Sequence, residues 1–134
     1  MNHAFHIGLH VKDIENTSKF YSKFFGTEAL KTKSDYVKFE LPDPALVISF
    51  SKSTSVDTNF GHLGIRVNTA EELADYKIRI DQAGLDFEDE NNTTCCYARQ
   101  DKFWVSDPDG YRWEVFLFKE DVNEVELSDK ASCC

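Results

Sequence analysis

Long apolar runs are missing from this sequence: nothing approaches the roughly 20 residues that span a bilayer. The opening Met1-Asn2-His3-Ala4-Phe5-His6 also lacks the basic region and apolar stretch of a secretory signal, so the expectation is a cytoplasmic protein. Basic residues are in deficit, 15 Lys and Arg against 24 Asp and Glu, for a formal charge of -9. Nucleic acid and anionic membrane surfaces select for basic patches, and neither is an expected partner. Cysteines number only four, and they fall as two adjacent pairs, Cys95-Cys96 and Cys133-Cys134. That spacing excludes a disulfide framework in a reducing compartment and suggests soft-metal or metalloid chemistry.

What is present is enough for one ordinary domain. A chain of 134 residues, 41% apolar and with eleven Phe, can bury a core without disulfides or a metal. An internal repeat sets its architecture, because His6-Ile-Gly-Leu-His-Val11 is echoed by His62-Leu-Gly-Ile-Arg-Val67. Both segments alternate as strands do. Ile7, Leu9 and Val11, or Leu63, Ile65 and Val67, line one face, and His6, Gly8 and His10, or His62, Gly64 and Arg66, the other.

A helical pattern follows each strand. In the first, Ile14, Phe20, Tyr21, Phe24 and Phe25 keep near-helical spacing, with Asp13 as the cap and Gly26 as the left-handed stop. In the second, Thr69-Ala-Glu-Glu72 is a capping box, Leu73, Tyr76, Ile80 and Ala83 form the stripe, and Gly84 ends it. Strand-like runs come next: Tyr36 to Leu41 and Leu46 to Phe50, then Leu85 to Phe87, Tyr97 to Gln100, Phe103 to Ser106 and Trp113 to Phe118. Asp107-Pro-Asp-Gly110 is a turn joining the last two. The expectation is an α+β fold in which two paired βαβββ modules, about 4–50 and 60–118, form a curved mixed sheet around a cleft within one domain, 1–118. Residues 119–134 read as an exposed acidic tail.

The repeat puts His6 and His62 at equivalent positions, opposite the apolar faces. Glu114 is an acid in the middle of the apolar and aromatic strand Trp113 to Phe118, where burial without a partner would be costly. Two imidazoles and a carboxylate form the ligand set of non-haem Fe(II) oxygenases, and Zn(II), Mn(II), Ni(II) or Co(II) would also suit it. A satisfied core or surface histidine is the alternative reading for each; His3 and His10 are weaker candidates. For Cys95 and Cys96, strand geometry would aim the two sulfurs to opposite faces, so joint binding of one atom calls for a loop. Trivalent arsenic or antimony with two replaceable bonds matches a vicinal dithiol, and the alternative is two incidental cysteines. Cys133 and Cys134, in the tail, either capture a metalloid and pass it inward or scavenge soft metals.

The repeat, Phe20-Tyr-Ser-Lys-Phe-Phe-Gly26 and Asp107-Pro-Asp-Gly-Tyr-Arg-Trp-Glu114-Val-Phe together resemble the vicinal oxygen chelate superfamily over residues 5 to 118, with its glyoxalase/bleomycin resistance/dioxygenase fold. Within it, Thr94-Cys-Cys-Tyr-Ala-Arg-Gln-Asp-Lys-Phe-Trp-Val105 resembles the carbon-arsenic lyases and related cadmium-inducible proteins. The resemblance implies an Fe(II)-dependent dioxygenase that cleaves trivalent organoarsenicals such as methylarsonous acid, with dioxygen as cosubstrate. It implies iron on His6, His62 and Glu114, with arsenic on Cys95 and Cys96; some relatives carry Gln at the position of His6, and either side chain can ligate. Tyr97, Lys102 and Trp104 stand beside them as substrate-pocket residues, with strand packing and a solvated Lys as the alternative. The rival functions are a non-catalytic soft-metal or metalloid binder and a glyoxalase or thiol-transferase type of enzyme. Whether the cleft forms within one chain or in a homodimer is left open by the sequence.

Overall fold

The computed structural model of the chain describes residues 3–95 and 98–121. The first repeat runs β1 (Phe5–Val11), α1 (Ile14–Phe25), β2 (Lys31–Lys33), β3 (Tyr36–Pro42) and β4 (Ala45–Lys52). The second runs β5 (Leu63–Val67), α2 (Ala70–Gln82), β6 (Glu88–Cys95), β7 (Ala98–Ser106) and β8 (Arg112–Asp121). Both are βαβββ, and each builds its own four-stranded mixed sheet, ordered β1-β4-β3-β2 and β5-β8-β7-β6. In each sheet the first strand pairs in parallel with the last, and the other pairings are antiparallel. The chain divides into two compact units, Met1–Phe60 with Asp107–Tyr111, and Gly61–Ser106 with Arg112–Cys134.

Helix α1 forms where expected and for the expected reasons. The Asp13 carboxylate accepts from the Asn16 N–H at 2.8 Å, and Gly26 ends the helix at φ 68. Its buried face, Ile14, Thr17, Phe20, Tyr21 and Phe24, lies against β3 and β4. Tyr21 stacks on Phe50 with ring centroids 4.3 Å apart, and Phe25 meets Phe39 edge-on at 5.6 Å. Rings in these arrangements add about 0.5–1.5 kcal/mol per pair beyond their area. Helix α2 keeps the capping box: Thr69 Oγ1 accepts from Glu72 N, and the Glu72 carboxylate accepts from Thr69 N. Leu73 and Ile80 are its buried residues, and the helix lies against β5 and β8.

The first unit also takes in the Asp107–Tyr111 turn. Asp107 is buried, and its carboxylate accepts from the Tyr21 hydroxyl at 2.7 Å and from the N–H groups of Asp109 and Tyr111, both at 2.9 Å. Burial pushes this carboxyl above its usual range, with the hydrogen bonds opposing the shift. The Tyr111 hydroxyl donates to His10 O at 2.8 Å, and burial with the nearby Asp107 and Asp109 raises its pKa. A turn readable from Asp-Pro-Asp-Gly is therefore also an anchor on α1 and β1, which no local pattern signals.

Three sequence expectations change in the second unit. Leu85 to Phe87 is not a strand; it follows the left-handed Gly84 as an irregular lead-in, with Phe87 edge-on to Phe103 at 5.7 Å. The strand is instead Glu88–Cys95, a polar segment whose order comes from backbone pairing with β7 rather than from an apolar face. Tyr97 to Gln100 and Phe103 to Ser106 belong to one strand, β7, as far as it is described, because antiparallel neighbours on both sides carry it through. Residues 119–121, expected in an exposed tail, belong instead to β8, which continues to Asp121.

Candidate metal and substrate site

β8 positions Glu114. Its neighbours Trp113 and Val115 are buried on the side that α2 covers, which turns Glu114 to the other face together with Arg112 and Phe116. In register it lies between Gly64 on β5 and Trp104 on β7. Gly64 makes room for it: a Cβ there would stand 2.8 Å from Glu114 Cγ and 3.3 Å from Glu114 O. Sequence reasoning assigned this glycine no role, although its place in the repeat was the available signal.

His62 immediately precedes β5, and its Nε2 lies 3.5 Å from Glu114 Oε1. The edge of its ring meets Trp104 with centroids 5.1 Å apart and planes at 86°. Trp104 is 3% exposed and is also capped by the Arg112 guanidinium at 4.2 Å. Lys102 donates to the second carboxylate oxygen, Glu114 Oε2, at 2.9 Å, while its Nζ stands 5.4 Å from the Trp104 ring and 5.9 Å from that of Phe116. Lys102 is 1% exposed. Neither a solvated lysine nor a side chain open to a substrate describes it.

His62 and Glu114 suit a divalent ion. Two donors each about 2.1 Å from one first-row metal, at octahedral to tetrahedral angles, stand about 3.0–3.4 Å apart, close to the observed separation. Borderline imidazole nitrogen with hard carboxylate oxygen is a donor pair that iron, zinc, manganese, nickel and cobalt all accept. Within the second unit the described residues add no third His, Cys, Asp or Glu to the pair. His6 belongs to the first unit, on β1, where its Nε2 lies 3.3 Å from Ser49 Oγ on β4. Ser49 is the internal counterpart of Glu114: β1–β4 pairs Gly8 with Ser49 as β5–β8 pairs Gly64 with Glu114.

Cys95 was expected on a loop; its backbone instead closes β6, opposite Ala98. Cys96 and Tyr97 lie outside the described residues, as do Cys133 and Cys134. Two register breaks interrupt the pairing next to this end, between Glu90 and Thr93 and between Arg99 and Gln100. At the first, Asn92 takes a left-handed φ of 52, and its N–H donates to Asp101 Oδ1 at 2.6 Å.

Comparison with known proteins agrees with this architecture. Residues 3–115 match the model of the glyoxalase/bleomycin resistance protein/dioxygenase superfamily. A trivalent organoarsenical cleaving enzyme of Bacillus sp. strain MD1 is 46% identical over 131 residues, covering 96% of this chain and 81% of that protein. A cadmium-induced protein of Mycobacterium tuberculosis is 34% identical over 137 residues, covering 96% and 90%. Among solved structures, a glyoxalase/bleomycin resistance protein/dioxygenase from Alicyclobacillus acidocaldarius superposes with a TM-score of 0.73 at 16% identity, over 89% of this chain and 93% of that one. With the duplicated βαβββ module, the two sheet orders and a family match over most of its length, the chain belongs to the glyoxalase/bleomycin resistance protein/dioxygenase superfamily.

Proposed function

We propose that this protein cleaves the carbon-arsenic bond of trivalent organoarsenicals as an Fe(II)-dependent dioxygenase, with methylarsonous acid as the expected substrate. The observation that carries the reading is the His62 Nε2 to Glu114 Oε1 approach of 3.5 Å, on a face walled by Trp104. Likeness to an organoarsenical cleaving enzyme over 96% of the chain supports the substrate class.

In this reading His6, His62 and Glu114 hold the metal, and Fe(II), when bound, supplies the activation of dioxygen. Cys95 and Cys96 hold the arsenic: each thiol replaces one arsenic hydroxyl, which leaves with the thiol proton as water. The methyl group stays on the arsenic and is the carbon to be oxidised. Overall, methylarsonous acid and one dioxygen give arsenite and formaldehyde, with every atom accounted for. Trp104 packs against the His62 ring and holds its plane, and Tyr97 serves the substrate pocket. Thiolate capture turns a bimolecular encounter into an oriented one, which can offset several kcal/mol of barrier, up to about 7–11.

The geometry imposes one condition. Along β7, Ala98, the register partner of Cys95, lies six residue steps from Trp104, the partner of Glu114, or about 20 Å of extended strand. Cleavage within one chain therefore requires the Cys95 end of the β6–β7 pair to curl over the Glu114 face. Register breaks are where an antiparallel pair bends; one lies in the β6–β7 pair, between Glu90 and Thr93, and one in the adjoining β7–β8 pair, between Arg99 and Gln100.

The test is arsenite release by Fe(II)-loaded protein from methylarsonous acid, with and without dioxygen. Release that depends on oxygen supports the proposal, and none in air sinks it. A non-catalytic soft-metal binder is the second reading, favoured by the likeness to a cadmium-induced protein. It predicts cadmium or arsenite binding that needs the cysteines and survives Glu114→Ala.

A further inference from the structure

We propose that Lys102 is a positioning residue that ties up Glu114 Oε2, so that the carboxylate offers a single oxygen, Oε1, on the side of His62. This rests on the metal reading above and deepens it. The Lys102 ammonium reaches Oε2 at 2.9 Å, whereas Oε1 is the atom that stands 3.5 Å from His62 Nε2. The two oxygens of one carboxylate thus have separate neighbours.

The surroundings hold that division in place. Lys102 and Trp104 are alternate residues of β7 and share its face, and the ammonium sits near the rings of Trp104 and Phe116. Gly64 leaves space for Glu114 Cγ that any larger residue would take. Fold stability alone gives little reason for such a pair. Removing two charges from water costs about as much as their attraction returns, and well-packed apolar side chains of similar size would serve as well.

A site that must take substrate and oxygen gives a better reason. A carboxylate with both oxygens available can chelate a cation through both, filling one more position around the ion. With Oε2 committed to Lys102, Glu114 makes one bond and leaves that position open. Lys102 then acts on the metal through Glu114 rather than on the substrate.

The experiment is Co(II) binding to metal-free protein, followed by calorimetric titration and by the visible absorption of the bound ion, whose intensity falls as coordination number rises. In Lys102→Met the freed oxygen should join the ion, giving a weaker Co(II) band and an affinity altered by about 10–100-fold, the scale of losing a partner that orients a ligand. Lys102→Arg keeps the charge, but its fork spans both oxygens, so Co(II) affinity should fall by about tenfold or more. If Lys102 only balances charge, Arg replaces it without change, and that result overturns the proposal. Should Lys102→Met fail to fold, Lys102→Arg decides alone, since unchanged affinity and spectrum refute and a loss supports. Wild-type protein that takes up no Co(II) overturns the metal reading and this assignment with it. Wild-type uptake with both variants unchanged overturns this assignment only.

Discussion

The two repeats place a histidine, a glycine and a polar residue on equivalent rungs and equip them differently. In the first, His6 faces Ser49 at 3.3 Å across from Gly8; in the second, His62 faces Glu114 at 3.5 Å across from Gly64. Ser49 has Lys38 as its other cross-strand partner, whereas Glu114 has Trp104. A Cβ on Gly8 would meet Ser49 Oγ at an ordinary 3.7 Å, but one on Gly64 would stand 2.8 Å from Glu114 Cγ. A hydroxyl needs little accommodation. Glu114 instead sits over a glycine, with a cation on one oxygen and the rings of Trp104 and Phe116 close to that cation.

The largest effect should come from removing that difference. Glu114→Ala is expected to abolish arsenite release and, by leaving Lys102 buried without the carboxylate, to cost about 3–5 kcal/mol in urea unfolding. Ser49→Ala on the equivalent rung should cost under about 1 kcal/mol in the same assay. Equal losses would break the comparison. Gly64→Ala should cost about 1–3 kcal/mol through crowding of Glu114 and should weaken metal uptake, while Gly8→Ala stays within about 0.5 kcal/mol. Calorimetric Co(II) titration of both sharpens the contrast.

The buried acids of the two units form a second contrast. Glu114 has a lysine; Asp107 has a tyrosine hydroxyl and two backbone N–H groups instead. Tyr21→Phe should therefore cost about 1.5–3 kcal/mol in urea unfolding, the scale of a hydrogen bond to a charged group. The smallest effect is one of pH. Because burial raises the Asp107 carboxyl above 3.8, the folded chain keeps a proton that the unfolded chain has already released. Its contribution to stability falls as pH rises between that value and the raised one, and is flat outside that window. Unfolding midpoints measured across the acid range should show that slope lessened in Asp107→Asn; an unchanged slope would assign it to other groups.

Much of this was legible in the chain itself. The His-x-Gly repeat, Asp13, the Thr69 to Glu72 box and Gly26 act over a few residues, so strand, helix and cap follow from spacing and side-chain chemistry. β6 was not legible, because Glu88–Cys95 has no apolar alternation and becomes a strand only when β7 supplies hydrogen-bond partners. The pairing of Lys102 was not legible for a related reason. Charge alone suggests a solvated or substrate-facing lysine, and its burial depends on a cross-strand neighbour.

Period, repeat and residue chemistry are local properties, so the duplicated βαβββ plan and the candidates His6, His62, Glu114, Cys95 and Cys96 could be read from the chain. Which atom meets which came from folding: Glu114 lies over Gly64, one of its oxygens belongs to Lys102 and the other faces His62, and Ser49 holds the matching rung. The register between strands makes those choices, and it is fixed by chain segments far apart in sequence.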